Sequence, residues 1–246
     1  MMSTAAVIII GNEILSGRTR DANLPFLGKR LAELGINLLE VSIIPDDEQT
    51  IINTVNQYRQ RFTYVFTTGG IGPTHDDIST VSVAKAFNIP LEINSEAVGY
   101  LENYYEAGTI NNARLKMAHI PVGATLIKNP ISAAPGFQLE NVFVMPGVPE
   151  IIQAMFDGIS DRLVGGPPVL TRTIATDLRE SILAEGLEII QNQYPEVAIG
   201  SYPYFRMGRL GVNLVMRSTL SANLDRVYKD IECLIHQLGG EIISAE

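Results

Sequence analysis

One cysteine, Cys233, and three histidines, His75, His119 and His236, are all that the 246-residue chain offers of thiol and imidazole metal ligands. A single cysteine excludes an intramolecular disulfide and any thiolate zinc cluster. It falls inside an apolar helical pattern, which reads as a buried structural thiol. His75 has no second histidine near it in sequence, so it reads as a turn or substrate contact rather than a metal ligand. The opening apolar run, Ala5 to Ile10, is too short to span a bilayer and carries neither a basic lead-in nor a cleavage site. No membrane association is expected, and the expected location is cytoplasmic. Positive charge is scarce as well. Against 27 Asp and Glu stand 18 Lys and Arg, a formal net charge of -9. A nucleic-acid-binding surface normally needs a basic stripe, so no nucleic acid partner is expected. An acidic chain favours small ligands that arrive with metal ions. Internal repeats and low-complexity tracts are also missing.

What is present is an alternation of strand and helix patterns. With 46% hydrophobic residues the chain can bury a substantial core. Residues 5–10 read as a buried strand ending at Gly11-Asn12-Glu13. Asp21 reads as the cap of a helix carrying Leu24, Leu27, Leu31 and Leu34, with Gly35 as its stop. Ile36 to Ile43 is a second strand, and Asp46 or Asp47 opens the next helix. Residues 63–67 form a third strand. After them come a glycine-rich turn and a helix to Phe87. Two helices with a break near Gly108 are expected in 95–118, strands at 125–127 and 142–145 with a proline-rich loop, Asn129 to Gly136, between them that is placed to fold over a ligand, and a helix from Pro149 to about Leu163. Such alternation argues for parallel βαβ units. The expected fold is α/β, a mostly parallel sheet flanked by helices, over residues 1–165. Gly165-Gly166-Pro167-Pro168 reads as a linker. Residues 168–246 then follow the order β-α-β-β-α-β of a small split module.

The most informative segment is Thr67-Thr68-Gly69-Gly70-Ile71-Gly72-Pro73-Thr74-His75-Asp76-Asp77. Gly69, Gly70 and Gly72 let the backbone approach a ligand closely. The free N–H groups of the turn and of the following helix start make an anion-receptive site. The same turn ends in two carboxylates. At ~4 Å and an effective dielectric of ~20, a carboxylate and a phosphate repel by roughly 4 kcal/mol, whereas a favourable helix-end interaction contributes about 0.3–1 kcal/mol. The turn alone loses that contest, and a divalent cation between acids and phosphates reverses it. In parallel sheets ligands collect beyond the carboxyl ends of the strands. Asn12-Glu13, Asp46-Asp47 and Gly69 to Asp77 all fall on that edge. Asp77 reads either as a cap of the next helix or as a metal-holding or catalytic residue. Asp46 reads as a helix cap that also faces the cleft. Arg114 and Lys116 read as solvated helix charges that can reach a phosphate, and Arg206 and Arg209 as weaker phosphate candidates.

These pieces carry a resemblance. Ile10-Gly11-Asn12-Glu13-Ile14-Leu15-Ser16-Gly17, Asp21-Ala22-Asn23, Pro45-Asp46-Asp47-Glu48, the glycine turn, Asn111-Asn112, Lys128-Asn129-Pro130 with Ala134-Pro135-Gly136-Phe137, and Met145-Pro146-Gly147-Val148-Pro149 together resemble the N-terminal domain of CinA-type (competence/damage-inducible) proteins. That domain is a branch of the molybdopterin-binding (MoaB/Mog-like) superfamily. Gly200-Ser201-Tyr202-Pro203 resembles the module that follows it. The resemblance implies a metal-dependent nucleotide pyrophosphatase acting on ADP-ribose or FAD-like dinucleotides, or else a molybdopterin- or nucleotide-binding protein without turnover. It implies a divalent cofactor (Mg, Mn or Co), with potassium also implicated, a nucleotide or pterin ligand, and a homo-oligomer. Asp77, Asp76 and Glu13 become the catalytic candidates, Asp77 and Glu13 the metal ligands. Asn12, Asp46, Gly69, Gly70, Gly72, Thr74, His75, Asn129 and Gly136 become the substrate-binding set. Many superfamily members have Asp where this chain has Asn12, so Asn12 is expected to position substrate while Glu13 or Asp77 holds metal. The nicotinamide mononucleotide amidase domain that follows in full-length CinA proteins, and the synthetase half of eukaryotic FAD synthases, have no counterpart in these residues.

Overall fold

The computed structural model describes residues 3–206 and 208–245, and the chain divides into two units, Met1–Gly166 and Pro167–Glu246. The first unit runs β1 (Thr4–Ile10), α1 (Asn12–Leu15), α2 (Asn23–Glu33), β2 (Asn37–Ile44), α3 (Glu48–Arg61), β3 (Tyr64–Thr68) and α4 (Ser79–Ala86). It continues with β4 (Leu91–Ile93), α5 (Ser95–Tyr104), α6 (Asn112–Lys116), β5 (His119–Pro121), β6 (Thr125–Ile127), β7 (Gly136–Leu139), β8 (Val142–Met145) and α7 (Pro149–Asp157).

Six strands form one sheet in the order β2-β1-β3-β8-β7-β6. β1 pairs in parallel with β2 and with β3, and β3 with β8. β7 and β6 extend the sheet antiparallel. The short pair β4 and β5 lies apart. Alternate residues of β1 serve opposite faces. Ala6, Ile8 and Ile10 pack with Ile51 and Val55 of α3 and Val83 of α4. Ala5, Val7 and Ile9 pack with Leu27 and Leu31 of α2 and Ile152 and Met155 of α7. A strand covered on both faces must be apolar at every position, which is why its run is continuous rather than alternating.

Helix starts follow the expected capping chemistry with one exchange. Asp47, not Asp46, caps α3, its Oδ1 accepting the Thr50 N–H at 2.9 Å. Asp21 accepts the Leu24 N–H at 2.8 Å, tying down the start of α2. Three expectations are corrected. The helix after Pro149 stops at Asp157, and a separate 3-10 turn spans Ser160–Arg162. Ile159 and Leu163 nevertheless stay buried, so the apolar spacing was real while the helix was broken at Gly158. Asn12 and Glu13 do not end a strand but open the one-turn helix α1. Gly136 is not loop but the first residue of β7.

The second unit runs β9 (Leu170–Thr176), α8 (Glu180–Gln193), β10 (Ala198–Arg206), β11 (Arg209–Ser218), α9 (Ser221–Gln237) and β12 (Ile242–Ala245). Its four strands pair antiparallel in the order β10-β11-β9-β12. Both helices bury one stripe on this sheet, Leu183 and Ile190 from α8 and Leu224, Val227, Ile231 and Ile235 from α9. Cys233 lies off that stripe and is exposed, correcting the expectation of a buried thiol. Two positions past Ile231 is about 200° around a helix, on its outer side. The side chains of Arg206 and Arg209 lie outside the described residues.

Candidate functional site

Sheet order sets the site. Crossing the carboxyl edge from β2 to β8 meets Asp46 after β2, Gly11 to Glu13 after β1, Gly69-Gly70 after β3 and Gly147 after β8. Together these segments border a cleft of about 400 Å³. Such an edge is where parallel α/β sheets place ligands.

The glycine turn is held by contacts that admit no side chain. Gly69 has φ 103°, and a Cβ there would come within 2.2 Å of the Ile10 carbonyl oxygen. Gly70 has φ 68°, with the Ser79 hydroxyl 2.3 Å from where its Cβ would be. The Gly70 carbonyl accepts the Ser79 N–H at 2.9 Å, which closes the turn onto α4. The expected ring of free amides is narrower than the sequence suggests, because the Gly69 N–H donates to the Met145 carbonyl at 3.1 Å. The N–H groups of Gly70, Ile71 and Gly72 have no partner among the described residues. Gly72 itself does not border the cleft. It packs against the Asp77 carboxylate, 2.6 Å from the place of a Cβ.

Glu13, Asp46, Thr74, Asp76 and Asp77 all border the cleft. The Asp77 carboxylate accepts the Thr74 N–H at 2.8 Å and also meets the Thr74 hydroxyl. That hydroxyl lies 2.6 Å from Asp76 Oδ1 as well. It has one proton to give, so it can serve only one of the two carboxylates at a time. Asp76 is held below the ordinary carboxylate range, first by the Thr74 hydroxyl and then by its own N–H, with His75 and Lys116 adding smaller electrostatic help. Asp77 does not cap α4, whose cap position is Ile78 with no side-chain bond. Asp46 accepts the Asn12 N–H at 2.8 Å, and so joins the ends of β2 and β1 instead of capping α3. Glu13 folds back over Gly11, its Oε1 2.5 Å from where a Cβ of Gly11 would stand.

Other expected residues are placed elsewhere. His75 is 98% exposed at its side chain, 4.0 Å from Asp76, and does not border the cleft. Asn12 contributes its N–H to Asp46 but is not part of the cleft lining. Asn129 is buried and its side chain is fully spent in its own loop. Its amide nitrogen donates to Ser132 Oγ at 2.7 Å and to the Ala134 carbonyl at 2.9 Å, and its oxygen accepts the N–H groups of Ile131 and Ser132. Gly136 lies against the Val144 carbonyl, where a Cβ would sit 2.3 Å away. That loop therefore does not fold over the cleft.

The structure gives Lys116 a different place from the one its sequence suggests, and adds two residues that sequence reasoning passed over. Lys116 is not a solvated helix charge. Its ammonium donates to the carbonyl oxygens of Thr74 and, at 2.9 Å, of Asp77, clasping both ends of the acidic turn. No local signal marks this, since 39 residues separate Lys116 from Asp77. Arg114 turns away, bonding the Thr109 carbonyl at 2.7 Å and lying over the Tyr105 ring. Asn23 and Thr68, buried polar residues, border the cleft on its α2 side.

Among the described residues, no group of three or more His, Cys, Asp or Glu side chains is gathered closely enough to hold a metal by itself. The oxygen donors present still suit a hard divalent ion. Magnesium is commonly held by one or two carboxylates together with substrate phosphates rather than by an all-protein cage. The two carboxylates competing for one Thr74 proton supply the surplus negative charge that such an ion would offset.

Residues 6–165 match the family described as probable molybdopterin binding domain. The chain belongs to that family. Its second unit matches, over residues 168–241, the family described as FAD synthase, middle domain. A solved CinA protein of unknown function from Thermoplasma acidophilum is 32% identical, with a TM-score of 0.62 over 65% of this chain and 98% of that one. This family member is also 34% identical to a protein of Aeropyrum pernix, over 97% of this chain and 96% of that one. It is 32% identical to a probable FAD synthase of Caenorhabditis elegans across 98% of its own length. It spans about half (51%) of that relative.

Proposed function

We propose that this molybdopterin-binding-family protein is a metal-dependent pyrophosphatase acting on a dinucleotide such as ADP-ribose or FAD. The observation that carries the reading is the joining, in one cleft, of the unpartnered Gly70 amide of the glycine turn with carboxylates from three strand ends. Amides favour a phosphate, and acids repel one unless a cation stands between them. The similarity of both units to parts of FAD synthases supports a nucleotide ligand.

In this mechanism the Gly70 N–H, the unpartnered amide of the turn that borders the cleft, receives a phosphate oxygen. Asp77 and Asp76, with Glu13 on the same cleft lining, would hold a divalent ion (magnesium, manganese or cobalt) together with the ligand's phosphates, and it would supply charge neutralisation and a bound water of lowered pKa. Thr74 orients the two aspartates, and Lys116 fixes the backbone that carries them. Asp76, held ionised by its neighbours, stays available as an oxygen ligand well into acid.

Purified protein given ADP-ribose or FAD with each of the three metals should release AMP. Asp77→Ala should lower the rate about a hundredfold or more, the scale of losing one transition-state electrostatic partner. Wild-type turnover in that variant would refute the role of Asp77. A second reading, ligand binding without hydrolysis, is favoured by the lack of a preformed metal cage among the described residues. Tight nucleotide or pterin binding with no product under any of the metals would establish it.

A further inference from the structure

Two buried polar atoms of residues that line the cleft have no partner among the described residues: the side-chain oxygen of Asn23 and the hydroxyl of Thr68. Both residues border the cleft and both are more than nine-tenths buried, at 4% and 1% exposure. The orientation of the Asn23 amide is fixed by chemistry. It faces the Gly147 carbonyl at 2.8 Å, and a carbonyl only accepts, so the nitrogen must point there and Oδ1 must point elsewhere. Oδ1 is thus an acceptor in want of an N–H or O–H donor.

Their placement is consistent. Thr68 is aligned with Ile9 in the β1–β3 ladder, and Ile9 faces the layer of α2 and α7. Asn23 opens α2. Both therefore lie on the α2–α7 side, whereas Asp77 leads into α4, whose Val83 packs on the opposite face. The glycine turn stands between. An unmet buried hydrogen-bonding group is destabilising, and two in residues lining one side of an acid-lined cleft point to a ligand group rather than to packing.

We infer that this wall is a second subsite, which takes the donor-bearing ribose or ring edge of the ligand while its phosphates lie at the glycine turn. Asn23 Oδ1 accepts from a ligand N–H or O–H. Thr68 Oγ1 completes the pair as donor or acceptor. The inference rests on the nucleotide reading above, and it makes the subsite the part of the cleft that separates a nucleotide from bare pyrophosphate.

Titration calorimetry of the full chain with magnesium tests it, using ADP, 2′,3′-dideoxy-ADP and inorganic pyrophosphate as probes. Thr68→Val removes a hydroxyl that has no partner among the described residues, so its melting temperature should match or exceed the wild type. Its affinity for ADP should fall about 2- to 12-fold, the equivalent of one hydrogen bond of ~0.5–1.5 kcal/mol. Pyrophosphate affinity should stay unchanged. Asn23→Ala should show the same split between probes, although it also loses the Gly147 bond and some stability. A variant effect that vanishes with the dideoxy probe assigns the subsite to ribose, and one that persists assigns it to the ring. If both variants bind ADP as the wild type does, the subsite is overturned while the nucleotide reading stands. If wild-type protein binds pyrophosphate but not ADP, or binds neither, the nucleotide reading fails and the subsite with it.

Discussion

Replacing Lys116 by methionine isolates the clasp on the acidic turn. Methionine keeps an unbranched side chain at the half-buried position and removes the ammonium that donates to the carbonyls of Thr74 and Asp77. Hydrogen bonds from a charged donor contribute about 1.5–3 kcal/mol each. Lys116 is only part-buried, so solvent screens it, and the pair together is worth roughly the value of one such bond. At ~1.4 kcal/mol per factor of ten, the ordered turn loses a factor of about 10 to 100 in population. The loss is local, since the turn lies outside the two buried layers of the first unit. Urea melts should therefore shift by less than the binding does. Calorimetry with ADP and magnesium should show affinity weakened by one to two orders of magnitude. Lys116→Arg, which keeps a cation and several donors, should recover part of it. A methionine variant with wild-type affinity and an unchanged turn would show that the clasp positions nothing.

Two further outcomes follow from geometry. Gly69→Ala places a Cβ 2.2 Å from the Ile10 carbonyl at φ 103°, and a side chain in that backbone region costs about 1–3 kcal/mol before the clash is counted. A calorimetric melt equal to the wild type's would contradict the assigned turn. The Thr74 hydroxyl is the largest cause of the lowered Asp76 value, so in Thr74→Val the carboxyl midpoint, followed by carbon NMR, should rise toward the ordinary 3.8. The sign is set by the depressed folded value. The Asp76 contribution to stability is present above 3.8 and is lost as the pH falls through the lowered value, and in the variant less of it remains to lose.

Local pattern carried most of the first unit. Continuous apolar strands, the helix cap at Asp47, the helix start beside Asp21 (whose cap position is Ala22), and the stop at Gly35 were legible because each depends on neighbours within a few residues. Legibility failed where a distant partner decided. Gly136 looked like loop because Ala133-Ala134-Pro135 precede it, yet pairing with Val144 and the tight approach to its carbonyl make it strand. Asn129 looked like a ligand contact, but its loop consumes all of its hydrogen-bonding capacity. Cys233 sat in an apolar register that the face of α9 toward β9 and β11 does not share.

The amino-acid order by itself determined that acids and glycines would meet on the carboxyl edge of a parallel sheet. Parallel strands joined by helices send every strand-to-helix turn to the same edge. Only the tertiary structure decided which groups there remain free. It spends the Gly69 amide on Met145, draws Lys116 onto the acidic turn, and leaves the oxygens of Asn23 and Thr68 unmet. The physical reason is that hydrogen-bond saturation is settled between segments tens of residues apart, and no local pattern of residues encodes it.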